Sequence, residues 1–180
     1  MKKLSLSELN RISTEEFKQK KKTPLIVILD NIRSMNNVGS IFRTADAFAV
    51  EKIYLCGITA TPPNKEITKT ALGATESVEW EYREDVVALV KELKQQGVQS
   101  FMLEQTDRSV MIQHFTPQKK ETIALIFGNE VFGVSDALLP EVSGALEIPQ
   151  FGTKHSLNVS IAGGIAIWEI FKKYQNEQTE

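Results

Sequence analysis

The hydrophobic pattern of the chain changes period several times, and each change marks an element. Leu25 to Leu29 is an unbroken apolar run rich in branched residues between Pro24 and Asp30, as in a strand buried on both faces. After the polar stretch Asp30 to Asn36, Ile41, Ala45 and Phe48 fall on one face of a helix over 38–48, and Lys52 to Cys56 reads as a second strand. Pro62-Pro63-Asn64 marks a loop, 66–72 has a helical pattern, and 77–82 alternates as a strand does. Val86, Leu89, Val90 and Leu93 recur at helical spacing over 85–96, Gly97 ends that helix, and a strand over 98–103 follows. Further strands are predicted over 122–127 and 145–148, with a helical turn over 135–139 between them and a last helix over 157–174. This alternation implies an α/β fold, a mostly parallel sheet flanked by helices.

Upstream, Ser13 and Glu16 have the spacing of a capping box for a short basic helix ending near Lys22. The chain therefore divides into a basic helical extension, residues 1–23, and one domain, residues 24–180. A length of 180 residues suits a single core and is short for two.

The net charge of -2 offers no global attraction for a polyanion, so any nucleic-acid surface is local. Lys2, Lys3, Arg11, Lys18, Lys20, Lys21 and Lys22, set against Glu8, Glu15 and Glu16, form one candidate; a solvated helix face is the other reading. The single cysteine, Cys56, excludes an intrachain disulfide and lies in an apolar run, which favours a buried thiol. His114 and His155 have no partners at metal-ligand spacing, so no metal is expected. With no signal-peptide pattern and no apolar run long enough for a bilayer, the expected setting is cytoplasmic, away from any membrane.

Loops after the strands of an α/β sheet carry its chemistry, and three are unusually polar: 37–43, 127–134 and 148–160. Gly39, Gly128, Gly133 and Gly152 are either turn residues or points of close ligand approach, and Asn37 or Ser156 either caps a helix or lines a site. If Asn37 caps the first helix, Arg43 lies near its N-terminus, where it either meets a phosphate or pairs with Asp46 or Glu130. The Rossmann glycine fingerprint, the P-loop and the G-x-S-x-G elbow are all missing.

The three segments, Asn37-Val38-Gly39-Ser40-Ile41-Phe42-Arg43, Gly128-Asn129-Glu130 with Gly133, and Ile148-Pro149 through Ser156-Leu157-Asn158, resemble in order and spacing the motifs of the SpoU, or TrmH-type, branch of the SPOUT RNA methyltransferases, over residues 25–172. The resemblance implies a deep C-terminal trefoil knot, an exception to the rule that chains avoid knotting. It further implies S-adenosylmethionine held mainly by backbone groups at Leu103, Glu104, Gly128, Asn129, Glu130, Ile148, Ser156 and Leu157, with few charges and with the adenine against Ile148 and Leu157. Arg43, Asn37, Ser156, Asn158 and Glu130 become the catalytic set, with Asn37 orienting Arg43. A guanidinium, with a pKa above about 12, suits a phosphate clamp and alkoxide stabiliser better than a general base. Lys18, Lys20, Lys21, Lys22 and Arg43 are the expected RNA contacts.

The implied reaction is methylation of a ribose 2'-hydroxyl in structured RNA. A tRNA substrate is favoured over rRNA because the sequence has no separate N-terminal RNA-binding domain. A catalytically idle RNA-binding protein and a small-molecule methyltransferase are the competing classes. The last helix suggests a homodimer: Leu157, Ile161, Ile165 and Trp168 form one apolar stripe, and Ala162, Gly163 and Ala166 permit close approach on a neighbouring face. Burial of the stripe in the monomer core is the alternative. Gln150 and Ala49 depart from the family pattern, which usually has Met and Gly there.

Overall fold

The computed structural model describes residues 1–5, 7–118 and 121–176. A short helix, α1 (Thr14–Gln19), precedes β1 (Thr23–Asp30), α2 (Met35–Ala47) and β2 (Val50–Cys56). Two short helices follow, α3 (Lys65–Ala71) and α4 (Ala74–Ser77), leading to β3 (Trp80–Arg83), α5 (Val86–Gln95) and β4 (Gln99–Leu103). The chain ends with β5 (Val110–Met111), β6 (Ile123–Phe127), β7 (Gly144–Glu147) and α6 (Val159–Asn176). Among the described residues the seven strands pair in parallel, in the order β3-β2-β1-β6-β4-β7-β5.

The apolar run of β1 is explained by its central position. Leu25, Val27 and Leu29 join the core on one face, where Ile41 and Phe42 of α2 and Ile167 and Ile170 of α6 pack. Ile26 and Ile28 point to the other face, which is covered by Val86, Leu89, Val90 and Leu93 of α5. A strand with apolar side chains on both sides needs helices on both sides. Cys56 is buried with this second cluster, and burial pushes its thiol up to about 12. It is the inert core thiol its surroundings in the sequence suggested.

Several expected boundaries move for local reasons. Ser77 belongs to α4 and not to a strand, because the turn 74–77 packs on α2 before the strand begins. The basic helix stops at Gln19, although its capping box is present: Ser13 accepts from the Glu16 N–H, and Glu16 accepts from the Ser13 N–H at 2.7 Å. Strand β5 is two residues long, too short to carry a period. Phe17 of α1 is buried in the first core cluster, so the N-terminal segment is held against the domain.

The connection between β4 and β6 is spanned by α6. Tyr174 donates to the Glu121 carbonyl at 2.7 Å and Lys173 to the Gln113 carbonyl at 3.0 Å. β7 lies between β4 and β5 in the sheet, a strand order in keeping with the α/β class expected.

Gly39 is not a turn residue. It lies buried inside α2, where an added Cβ would sit 2.1 Å from the Thr70 hydroxyl and 2.3 Å from the Ile67 carbonyl oxygen. Thr70 can rotate, but the backbone carbonyl cannot. Gly39→Ala is therefore expected to force α2 and α3 apart and destabilise the fold by about 1–3 kcal/mol, lowering the melting temperature by roughly 2–12 °C. Thermal denaturation followed by circular dichroism checks this, and an unchanged midpoint would contradict the packing role.

Candidate active site

The carboxyl ends of β4, β6 and β7 open into one cavity of about 590 Å³. Of these strands β6 pairs with β1, where the connections change direction, which is where ligands bind in parallel sheets. All eight residues predicted to hold a cofactor line it: Leu103 and Glu104 after β4, Gly128, Asn129 and Glu130 after β6, and Ile148, Ser156 and Leu157 after β7. Asn158 lines it as well.

The loop after β6 is closed on itself. Asn129 and Gly133 exchange two backbone hydrogen bonds of 2.9 Å, and the Asn129 side-chain oxygen accepts from the N–H groups of Val131 and Phe132. The Asn129 amide nitrogen donates to the Asn31 carbonyl at 2.7 Å, pinning the loop to the end of β1. Gly133 has a φ of +71°, and a Cβ there would lie 2.4 Å from the Glu104 carboxylate. Only glycine satisfies both conditions.

Glu130 joins this loop to α2. Its carboxylate accepts from the N–H groups of Arg33 at 2.9 Å and Ser34 at 3.0 Å, and from the Asn37 side chain at 3.1 Å. Partial burial pushes the Glu130 carboxyl up, but these hydrogen bonds outweigh it and hold the group below its ordinary 4.5. Asn37 in turn accepts from the Asn158 amide at 3.2 Å. Asn158 caps α6, its side-chain oxygen accepting from Ser160 and Ile161 N–H groups. One hydrogen-bonded line, Glu130 to Asn37 to Asn158, thus joins the three polar segments.

Four expectations are corrected here. Ser34, not Asn37, caps α2, and Asn158, not Ser156, caps α6. Arg43 does not lie near the helix N-terminus: it is nine positions beyond Ser34, about 13 Å along the axis, and the terminus itself is occupied by Glu130. Within one chain Asn37 also makes no contact that would orient Arg43. Six positions on an α-helix leave the two side chains about 120° apart, and both polar ends of Asn37 are engaged by Glu130 and Asn158. Arg43 is exposed, lines no part of the cavity, and has no ion pair with Asp46 or Glu130.

The cavity is also more charged than the resemblance implied. Glu104, Glu130, Asp136 and Glu147 line it, and among the described residues no lysine or arginine does. Anionic ligands are disfavoured by such a wall, and a cationic one is favoured. Apolar Leu103, Ile148 and Leu157 share the lining, which suits a ligand with an aromatic part and a positive centre.

Of the four N-terminal lysines expected to meet RNA, Lys18, Lys20 and Lys21 are exposed. Lys22 is not free: its ammonium lies 3.3 Å from the centre of the Phe17 ring and donates to the Phe17 carbonyl. It therefore serves the packing of α1.

Asn31, with a φ of +56°, was not singled out in the sequence. Its carbonyl receives Asn129, and its side chain accepts from the Ile58 N–H and donates to Asp30. Asp30 is buried at the end of β1, where burial raises its carboxyl above the usual range against hydrogen bonds from Ser135 and Asn31. A polar pair closing an apolar strand, Asp30-Asn31, was the one signal that could have marked them.

A sequence model described as the SpoU rRNA Methylase family matches residues 24–168. The chain is 30% identical over 172 residues to a 23S rRNA (guanosine-2'-O-)-methyltransferase RlmB of Haemophilus ducreyi, covering 92% of this chain and 67% of that protein. Among solved structures it is similar to the A. aeolicus TrmH/SpoU tRNA modifying enzyme, with a TM-score of 0.81 and 26% identity over 92% of this chain and 84% of that one. It is also similar to an AdoMet-bound rRNA methyltransferase from Sinorhizobium meliloti, with a TM-score of 0.77 and 28% identity over 87% of this chain and 59% of that one. The chain spans between 57% and 67% of the length of the curated relatives it matches first.

Replacing Glu130 tests the joint between the loops. A carboxyl whose folded-state pKa is depressed stabilises above its ordinary value, and that contribution is lost as pH falls through the lowered folded value. Glu130→Gln should therefore melt lower than the parent at pH 7, and the gap should narrow as pH falls below 4.5. A gap that is constant from pH 7 to pH 3 would show that the charge of Glu130 is not what holds the loops.

Proposed function

The chain belongs to the SpoU methylase family, and from that membership we propose that it transfers a methyl group from S-adenosylmethionine to a ribose 2'-hydroxyl of structured RNA. The observation that carries this is the cavity wall: four carboxylates, no lysine or arginine among the described residues, and apolar side chains beside them. Bound S-adenosylmethionine would supply a methyl group activated by its sulfonium centre, and a sulfonium is the cationic feature such a wall favours. Adenine would lie against Ile148 and Leu157, with Leu103, Glu104, Gly128, Asn129, Glu130 and Ser156 completing the pocket.

In the reaction the ribose oxygen forms a bond to the methyl carbon as the carbon–sulfur bond breaks, and the hydroxyl proton is released to water. Arg43 would bind an RNA phosphate and stabilise the oxygen as its charge develops. Because Arg43 lies outside the cavity of its own chain, we assign it to the cavity of a second copy. Ile161, Ile165 and Trp168 on α6, with Leu157 just ahead of the helix, support that assembly: each is between 39% and 56% exposed, so the monomer core does not consume the stripe. Of the neighbouring small residues, Gly163 and Ala166 serve the chain's own packing. An added Cβ at Gly163 would contact Ile41 of α2 at 3.4 Å, and Ala166 is fully buried.

We favour tRNA as substrate because the likeness to a tRNA modifying enzyme covers most of both chains. Ribosomal RNA is the second reading, favoured by the 30% identity to a 23S rRNA methyltransferase. Domain boundaries at residues 1–23 and 24–180 and a cytoplasmic setting accompany this proposal; among the described residues no helix is long and apolar enough to cross a membrane.

Binding, turnover and salt dependence test it. Calorimetry with S-adenosylmethionine should give saturable binding, and labelled donor should pass its methyl group to purified tRNA in preference to 23S rRNA. Arg43→Ala should keep donor binding and lose at least about 10²-fold in turnover. Mixing it with Ser156→Trp, which fills the cavity but keeps Arg43, should restore part of the activity; no restoration would refute action across the dimer. For the extension, the triple change Lys18→Ala, Lys20→Ala, Lys21→Ala should flatten the dependence of log affinity on log salt by roughly one unit for each phosphate no longer neutralised, with donor affinity unchanged. An unaltered salt slope would remove these lysines from the RNA surface.

A further inference from the structure

Among the described residues, Phe132 is the most exposed of the large apolar side chains that line the cavity. At 85% exposure its side chain stands at the cavity mouth, largely in solvent. Phe151 is even more exposed, at 98%, but does not line the cavity.

A lone exposed apolar side chain is ordinary. What distinguishes Phe132 is how its backbone is held. The Asn129–Gly133 closure fixes the loop, the Asn129 side chain accepts from the Phe132 N–H, and Glu130 of the same loop is bonded to the start of α2. The ring is therefore presented from a braced position and not from a free-swinging loop.

Taking the cavity as the methyl-donor site, we propose that Phe132 stacks on the base of the nucleotide being methylated and so positions its ribose. The attacking oxygen is on C2', and the base is attached to C1', the next ring atom. A 2'-oxygen brought to the mouth of the cavity therefore carries its base to the rim within one ring's width. The polar, acidic interior rejects the phosphates, so the nucleotide must approach base- and ribose-first while its backbone stays outside. An aromatic ring on the rim offers every base a face without reading its edge. Phe132 would then select for an unpaired, unstacked nucleotide and not for a particular base.

The test uses the full chain in three variants. Phe132→Ala should raise KM for RNA on the order of ten- to a hundred-fold, the span of stacked base contacts removed by alanine, with donor affinity and dimer mass unchanged. Phe132→Leu keeps apolar area without a ring and should resemble alanine; Phe132→Trp should resemble the parent. Phe132→Trp also supplies a readout independent of methyl transfer: titration with a mixed-sequence single-stranded oligoribonucleotide should quench the new indole beyond any change in the parent's Trp80 and Trp168. Rescue by leucine, loss of donor binding, dissociation of the dimer, or an indole unaffected by the oligonucleotide would each overturn the proposal. Failure of the parent to bind S-adenosylmethionine while the indole is still quenched would instead refute the methyl-donor reading of the cavity and leave the base contact standing.

Discussion

A carboxylate placed against the first turn of a helix organises this molecule's site. The opening N–H groups of a helix have no partner within it and carry partial positive charge. Glu130 satisfies the Arg33 and Ser34 N–H groups just ahead of α2 from a loop almost a hundred residues downstream, and through Asn37 it reaches the cap of α6. Three segments that are distant in sequence become one rim through a few hydrogen bonds. The same contact denies the α2 terminus to any phosphate, which separates this arrangement from nucleotide folds that use that terminus for anion binding.

Charge is divided accordingly. Carboxylates gather inside the cavity, while Arg43 stays outside on the exposed side of α2. On the opposite edge of the sheet the basic side chains are spent on structure: Lys52 pairs with Glu79 and Glu81, and Arg83 with Glu81 and Glu92. A net charge of -2 thus conceals a sorted surface, and its sign says little about whether a polyanion is a partner.

Legibility in the sequence followed the physics of each feature. The strands β1 and β6 and the helices α2 and α5 were readable because burial imposes a period on their own residues. The cavity-lining set was readable only through the resemblance of three motifs to the SpoU family, since neither period nor spacing marks Leu103 or Glu104 as a ligand contact. Helix caps were misassigned between candidates of the same chemistry: Ser34, Asn36 and Asn37 all have capping side chains, and which one caps depends on where Glu130 arrives. The direction of Arg43 depended on that cap, so one misplaced boundary moved it by a turn. Asn31 escaped notice because its role is entirely tertiary, set by Asn129, Ile58 and Asp30.

The exposed stripe of α6 and the position of Arg43 have a common consequence. A helix buries the side it needs, and here Ala166, Ile167 and Ile170 already satisfy the core. Ile161, Ile165 and Trp168 remain partly exposed on a second side of the same helix, and Leu157 just ahead of it is partly exposed and also lines the cavity. Phe48, at the end of α2, packs its ring at a tilt against Trp168 and Phe171 of α6, so α2 and α6 present a single surface. A partner docked on that surface would cover the stripe and bring its own α2 towards the cavity mouth. Site completion and burial of apolar area would then be one event, and a monomer would lack both a dry α6 and an arginine at its cavity.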